Sequence, residues 1–299
     1  MTTLPARVSG RPRIERRRHY GQYVAAGVLV VAALFLAKSL ATNPRMQWPI
    51  MWHYLWNTHV VSGLVVTLVM TVVCQTAGTA LGCQLAVMRL SRNRVLQATS
   101  GLYIWFFRGT PLLVQLIFWY NLAALFPTLG AGIPFTGIGF SVATNTLISG
   151  LVAGFLGFTL NEAAYMAEIV RSGISAVDPG QREAALSAGM TETRCMRRIV
   201  LPQAMRVIVP PTANQAINLL KATSLVAFIS GGDLLTNIQD IYANNFAVIP
   251  LLVTASVWYL IVVSVASVGQ RYLERHVGRG FTTFNDAPEQ ARDKREAAG

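Results

Sequence analysis

Residues 178–202 read DPGQREAALSAGMTETRCMRRIVLP. Asp178 suits an N-cap, because its side-chain oxygen can accept a free backbone N–H of the first helical turn. Pro179 suits the first helical position, and Gln181 stands three residues after the cap, as in a capping box. The helix then runs through Glu183, Ala184 and Ala185 to Gly189, a natural stop because glycine adopts left-handed backbone freely. Thr191 caps a second short helix, with Glu192 at its positive end. Pro202 is expected to break that helix, since it lacks the N–H that continuation needs. The stretch therefore predicts a compact helix–turn–helix, with a surface-lying amphipathic hairpin as the plainer alternative.

Long apolar blocks flank this stretch on both sides. Hydrophobic residues make up 53% of the 299-residue chain and charged residues 13%, about half the charged share of a soluble domain. That excludes an ordinary soluble enzyme and a disordered regulator. Six blocks reach the roughly 20 apolar residues that a bilayer crossing needs, near 22–41, 60–88, 98–126, 147–170, 207–231 and 247–268. The fold class expected is all-α: a polytopic membrane protein of six transmembrane helices. The first block lacks a small-residue cleavage pattern at its end, so it is expected to be a retained span rather than a signal peptide.

The net charge of +12 would suggest nucleic acid in a soluble protein, but its distribution points to orientation in a membrane. Segments 1–20, 89–94, 171–206 and 270–299 hold six, three, six and six of the 25 Lys and Arg residues. The alternate loops 42–59, 127–146 and 232–246 hold only Arg45. Positive residues mark cytoplasmic loops, so both termini and the 178–202 hairpin are expected in the cytoplasm. The uncharged loop 127–146 reads as an ordered turn structure or a short re-entrant piece on the outside, and 281–299 as a frayed polar tail. Cys74, Cys83, Cys195 and the four scattered histidines give no disulfide framework and no metal site.

Glu183-Ala184-Ala185, then Gly189, then Ile199 and Leu201-Pro202 resemble the EAA loop of ABC-importer permeases at full motif spacing. FFRGTPLLVQLIFWY (106–120), NEAAYMAEIVRSGI (161–174), GQREAALSAGM (180–190), LPQAMRVIVPPTANQ (201–215) and LLKATSLVAFIS (219–230) resemble the branch that moves polar amino acids. The resemblance covers roughly 58–275. It implies a permease core at 58–275, preceded by an added first span and outer loop within 1–57 and followed by a polar tail at 276–299. It further implies that Gly180, Glu183, Ala184, Ala185, Gly189, Ile199, Leu201 and Pro202 form a coupling element that docks on a separate cytoplasmic ATPase. The implied partners are an ATPase dimer that uses ATP and Mg, an extracytoplasmic binding protein, and a second identical or related permease. The chain itself carries no Walker A glycine loop, so no cofactor of its own is expected. It carries no Ser/His/Asp set or HExxH motif either, so it is not expected to be an enzyme.

An ionisable group deep in a bilayer costs several kcal/mol unless it meets protein or water, about 2.5–3.5 on insertion scales. Asn161, Tyr165 and Glu168 share one helix face at i, i+4 and i+7, with Glu162 beside it, and together they mark a candidate solvated path. Glu168 is equally readable as an ion-pair partner of Arg171. Lys221, followed by Thr223 and Ser224, is the one lysine deep in a span. Glu162 is its expected partner on depth, either holding the two ends of a zwitterion or making an interspan salt bridge. Small-residue stripes at Gly78/Gly82 and Gly150/Gly154/Gly157 signal close helix approach, within one subunit or at a dimer seam. Arg108 reads as an inside-positive anchor, and the resemblance makes it a gate candidate. Pro111 is expected to bend the third span, and Pro210-Pro211 the fifth.

A self-sufficient secondary transporter would show related halves and broken midplane helices, and would leave the 178–202 hairpin unexplained. A permease of the same type for another small solute, such as an opine or a sulfur compound, shares every feature of the coupling machinery.

Overall fold

A computed structural model of the chain describes residues 20–132 and 139–277. The Arg-rich 1–19, the middle of the outer loop and the tail from 278 lie outside the described residues, and so does much of the charge count. The chain divides into two units, Met1–Gln47 and Trp48–Gly299. The first contributes helix α1, Tyr20–Thr42, uncharged except for Lys38.

In the second unit the helices run α2 (Trp48–Leu55), α3 (Thr58–Leu90), α4 (Arg94–Gly109), α5 (Leu112–Tyr120), α6 (Thr144–Leu147), α7 (Gly150–Ser175), α8 (Pro179–Ser187), α9 (Glu192–Cys195), α10 (Leu201–Ala222), α11 (Leu234–Asn245) and α12 (Val248–Val277). Between α5 and α6 lies an antiparallel pair, β1 (Thr128–Gly132) and β2 (Gly139–Ala143), in register from Thr128 opposite Ala143 to Gly132 opposite Gly139. This hairpin is the ordered turn structure expected outside the membrane. It is also the one departure from an all-α chain among the described residues.

α7 is the central helix, packed against α3, α4, α5 and α10. Gly78 and Gly82 of α3 make the closest approach possible. A Cβ on Gly78 would lie 2.8 Å from the Glu162 Cβ and Cγ, and one on Gly82 would lie 2.6 Å from the Met166 Cβ. These glycines therefore serve packing within the subunit. One apolar core joins Met70, Cys74, Leu116, Phe158, Leu219 and Val226 across α3, α5, α7 and α10. A second joins Val60, Leu64, Leu234, Ile238 and Leu251 across α3, α11 and α12. α11 starts at the fully buried Asp233, whose carboxylate accepts from the backbone N–H groups of Leu235 (3.1 Å) and Thr236 (3.0 Å). Val65, Val69 and Val72 of α3 and Leu260, Val265 and Val268 of α12 point outward, as lipid-facing side chains do.

Among the described residues, three helices, Tyr23–Thr42, α3 and α12, are each long and apolar enough to cross a membrane. Two bent pairs, α4 with α5 and Glu192–Ile229 with α11, raise the number to five. α7 has the length, at 26 residues, but Asn161, Glu162, Glu168 and Arg171 dilute its apolar character. The expected third span is thus two helices that meet at 98°. Pro111 is the N-cap of α5. The expected fifth span is α10, then a 3-10 segment Thr223–Ile229, then a turn into α11. Pro210 and Pro211 sit inside α10 without ending it.

Candidate functional site

A cavity of about 500 Å3 opens at the α4–α5 break. Its wall comes from three places: Arg108 to Leu112 at the break; Asn161, Glu162 and Tyr165 on α7; and Gln215, Asn218, Leu219 and Ala222 on α10. The α10 residues stand at i, i+3, i+4 and i+7, a single helix face.

The Glu162 carboxylate is 2% exposed and held from two sides. Gln75 Nε2 donates to its Oε1 at 3.1 Å, and Gln215 Nε2 donates to its Oε2 at 3.1 Å. A carboxylate offers about four acceptor sites, so these amides fix its orientation and leave acceptor capacity for a cation in the cavity. Lys221 is not its partner. It lies six positions beyond Gln215, about 120° around α10, is exposed, and is absent from the cavity wall. The salt bridges among the described residues are Glu168–Arg171 and Arg182–Glu192, each at 2.8 Å. Thr223 is fully buried and donates to Leu220 O (2.7 Å), while Ser224 donates to Lys221 O (2.8 Å). Neither lines the cavity.

The break itself is knotted by amides that sequence reading passed over. Asn161 Nδ2 donates to Phe107 O at 2.9 Å, and Gln115 Nε2 donates to Phe107 O at 3.0 Å and to Thr110 Oγ1 at 2.7 Å. Carbonyls freed at a helix break must find donors when water is scarce, and these two side chains supply them. Asn161 is thereby a bracing residue as well as a wall residue. The Tyr103 hydroxyl donates to Leu160 O at 2.9 Å and ties α4 to α7 just before the polar cluster. Arg108 sits at the mouth with its guanidinium 5.2 Å from the centre of the Tyr165 ring, within cation–π range. Glu168 does not line the cavity. It takes the ion-pair alternative, with Arg171 donating through Nε (3.1 Å) and Nη2 (2.8 Å) to its Oε2.

The 178–202 hairpin forms with N-caps at Asp178 and Thr191, but the capping box expected with Gln181 is not made, because the Asp178 side chain reaches Gly180 instead. Asp178 Oδ1 accepts from Gly180 N at 2.7 Å. Gly189 has φ +82°, and the bonds Gly189 N–H to Leu186 O (2.9 Å) and Met190 N–H to Ala185 O (3.1 Å) close α8 as a Schellman motif. Thr191 Oγ1 accepts from Arg194 N, and Arg182 bridges to Glu192, tying α8 to α9. Ala185, Cys195 and Val200 form a small core of their own. Ala185 therefore faces inward, whereas Glu183, Ala184 and Ala188 are exposed. Gly180 and Leu201 are also exposed, and Ile199 packs at the edge of that core. Pro202 does not break the chain. A π turn over Met196–Val200 leads directly into α10, with Pro202 in its first turn. The widened turn absorbs the hydrogen bond that Pro202 cannot make.

The comparisons with known proteins agree with one another. Residues 78–279 match the family described as the inner membrane component of binding-protein-dependent transport systems. The chain belongs to that family. This permease is 40% identical over 283 residues to the arginine transport system permease protein ArgU of Corynebacterium glutamicum, covering 94% of this chain and 86% of that one. It is 30% identical over 216 residues to a probable glutamine ABC transporter permease of Bacillus subtilis, covering 72% and 91%. A crystal structure of an amino acid ABC transporter with histidines matches with a TM-score of 0.65 at 33% identity, over 77% of this chain and 98% of that one.

Proposed function

We propose that this permease moves a polar amino acid across the inner membrane by alternating access. The solute is handed over by an extracytoplasmic binding protein, and the energy comes from a separate ATPase. The observation that carries the reading is the cavity at the α4–α5 break, with an oriented carboxylate inside and a guanidinium at its mouth. Glu162 takes the ammonium or side-chain cation, and Arg108 takes the carboxylate, the role first considered for Lys221. Asn161, Tyr165, Gln215 and Asn218 supply neutral hydrogen bonds. The names of the relatives make arginine and glutamine the probes of choice.

The exposed face of α8, with Glu183, Ala184 and Gly189, is the coupling surface on the cytoplasmic side. Its own core and the unbroken run from α9 into α10 let it pass the ATPase's closing motion to the cavity wall as a rigid piece. Lys221, exposed on α10 away from the cavity wall, would be costly against lipid; we place it against a second permease subunit or the water path between the two. Six crossings, α7 among them, put both termini inside.

The test is uptake of labelled arginine and glutamine by cells that lack their own systems and express the whole transporter. Glu162→Gln should assemble normally and lose uptake at low substrate by tenfold or more, on the order of 1.4 kcal/mol or above. Uptake at the wild-type rate by the assembled variant would remove Glu162 from the path. A reporter fusion at Ser187 that reads outside would overturn the orientation.

A further inference from the structure

Just before α10 lies a second cleft, of about 430 Å3, lined by Thr191, Thr193, Arg194, Arg197 and Arg198. All three arginines are exposed, and no carboxylate lines the cleft. The nearest acid in sequence, Glu192, is taken by Arg182. Among the described residues no ion pair includes Arg194, Arg197 or Arg198. Three guanidiniums gathered around one hollow repel one another, and an anion placed between them relieves that repulsion. Guanidinium groups with hydroxyls beside them match phosphate oxygens in geometry as well as charge.

The surroundings say what carries the phosphate. Arg194, Arg198, Leu201 and Met205 follow one another along one continuous helical run through the π turn, and all four are exposed. The exposed surface of this run passes from guanidiniums to apolar side chains at Leu201 and Met205. The run opens the bent pair that, together with α11, is long and apolar enough to cross a membrane, which puts the arginines at its entrance. Charge followed by exposed apolar surface is the profile of a phospholipid, with headgroup first and acyl chain next. Basic clusters next to a span attract anionic lipid.

We propose that the Arg194/Arg197/Arg198 cleft binds the phosphate of an anionic phospholipid, whose acyl chain lies along Leu201 and Met205. The site is independent of the solute carried. Through the π turn at Met196–Val200 it adjoins both the hairpin and α10, so an occupied cleft anchors the hairpin to the membrane surface.

The experiment uses the intact transporter, purified and placed in nanodiscs of phosphatidylcholine with or without phosphatidylglycerol. Lipid retained on release is read by native mass spectrometry. Wild type should keep phosphatidylglycerol in preference to phosphatidylcholine. Arg194→Gln/Arg197→Gln/Arg198→Gln should weaken that retention about a hundredfold, whereas the charge-matched control Arg92→Gln/Arg271→Gln/Arg275→Gln should retain it. The same spectra report whether the ATPase stays bound, which shows that the variant is assembled. Equal phosphatidylglycerol retention by the triple variant and wild type would overturn the proposal. So would a triple variant that keeps its lipid and sheds the ATPase, because the cluster would then be a protein contact. Inorganic phosphate titrated in detergent supplies the remaining arm. Binding with the same arginine dependence, but without a headgroup preference in nanodiscs, would overturn the lipid assignment in favour of a soluble phosphate.

Discussion

Two prolines in this permease meet the same physical problem and have opposite outcomes. At Pro111 the chain turns by 98° between α4 and α5, and the freed carbonyls are gathered by Asn161 and Gln115. At Pro202 a π turn takes up the defect and the helix runs on. The difference lies in the neighbours. The break at Pro111 faces amide side chains that can replace the lost backbone bonds, and it opens the polar cavity. The π turn before Pro202 contributes Val200 to the small core with Ala185 and Cys195, where a splayed turn would leave carbonyls against apolar side chains. One proline thus makes a hollow for a solute, and the other preserves a stiff connection to it.

The sharpest way to break the stiff connection is at Gly189. Its φ of +82° admits glycine freely and asparagine tolerably. Gly189→Asp adds charge and bulk at the turn, and should abolish uptake while membrane insertion persists. Gly189→Asn should retain a measurable part of it. Equal loss in both would show that any side chain at the turn blocks docking; full uptake with Gly189→Asp would show that the turn does not couple at all.

The hollow can be probed through its braces. Asn161→Leu or Gln115→Leu leaves Phe107 O with one donor instead of two. Each should destabilise the purified transporter by about 0.5–1.5 kcal/mol, the net worth of one hydrogen bond, because the other amide still serves the carbonyl. The double variant should be worse than the sum, read as a coupling of roughly 0.5–3 kcal/mol in thermal unfolding. Strict additivity would mean that the two amides do not share the carbonyl.

A smaller effect is expected at Pro202 itself. Pro202→Ala returns the missing N–H and lets the π turn relax, so stability should change by no more than about 0.5 kcal/mol with uptake retained. Pro111→Ala should instead depress uptake, because straightening the break closes the cavity. If the two alanine variants behaved alike, the contrast between the prolines would fail. The smallest change belongs to Arg182→Gln with Glu192→Gln. That exposed pair contributes little in water, so the melting temperature should stay within error at any salt concentration.

Much of this was legible in the sequence. Caps at Asp178, Gly189 and Thr191 are local chemistry, and local chemistry is readable from neighbours in the chain. The apolar blocks near 60–88 and 247–268 coincide with α3 and α12, and Asn161, Glu162 and Tyr165 do share one cavity. What was missed depends on three-dimensional pairing. Gln75, Gln115 and Gln215 are uncharged and carry no obvious cost in an apolar run until their partners are known. Lys221 drew attention by its charge, yet the amide pair Gln215 and Asn218 marks the polar face of α10 and leaves Lys221 off it. That spacing was available as a signal. The β1–β2 hairpin could be read only as an ordered turn, because its glycines and threonines fit many turn geometries.

The account stands or falls on where the solute sits. Cryo-electron microscopy of the transporter, arrested with its binding protein and loaded with arginine, would locate it directly. The structure predicts density in the cavity at the α4–α5 break, with the ligand's cation within about 3 Å of a Glu162 oxygen and its carboxylate at Arg108. Density away from Glu162, on the α10 face that carries Lys221, would contradict it.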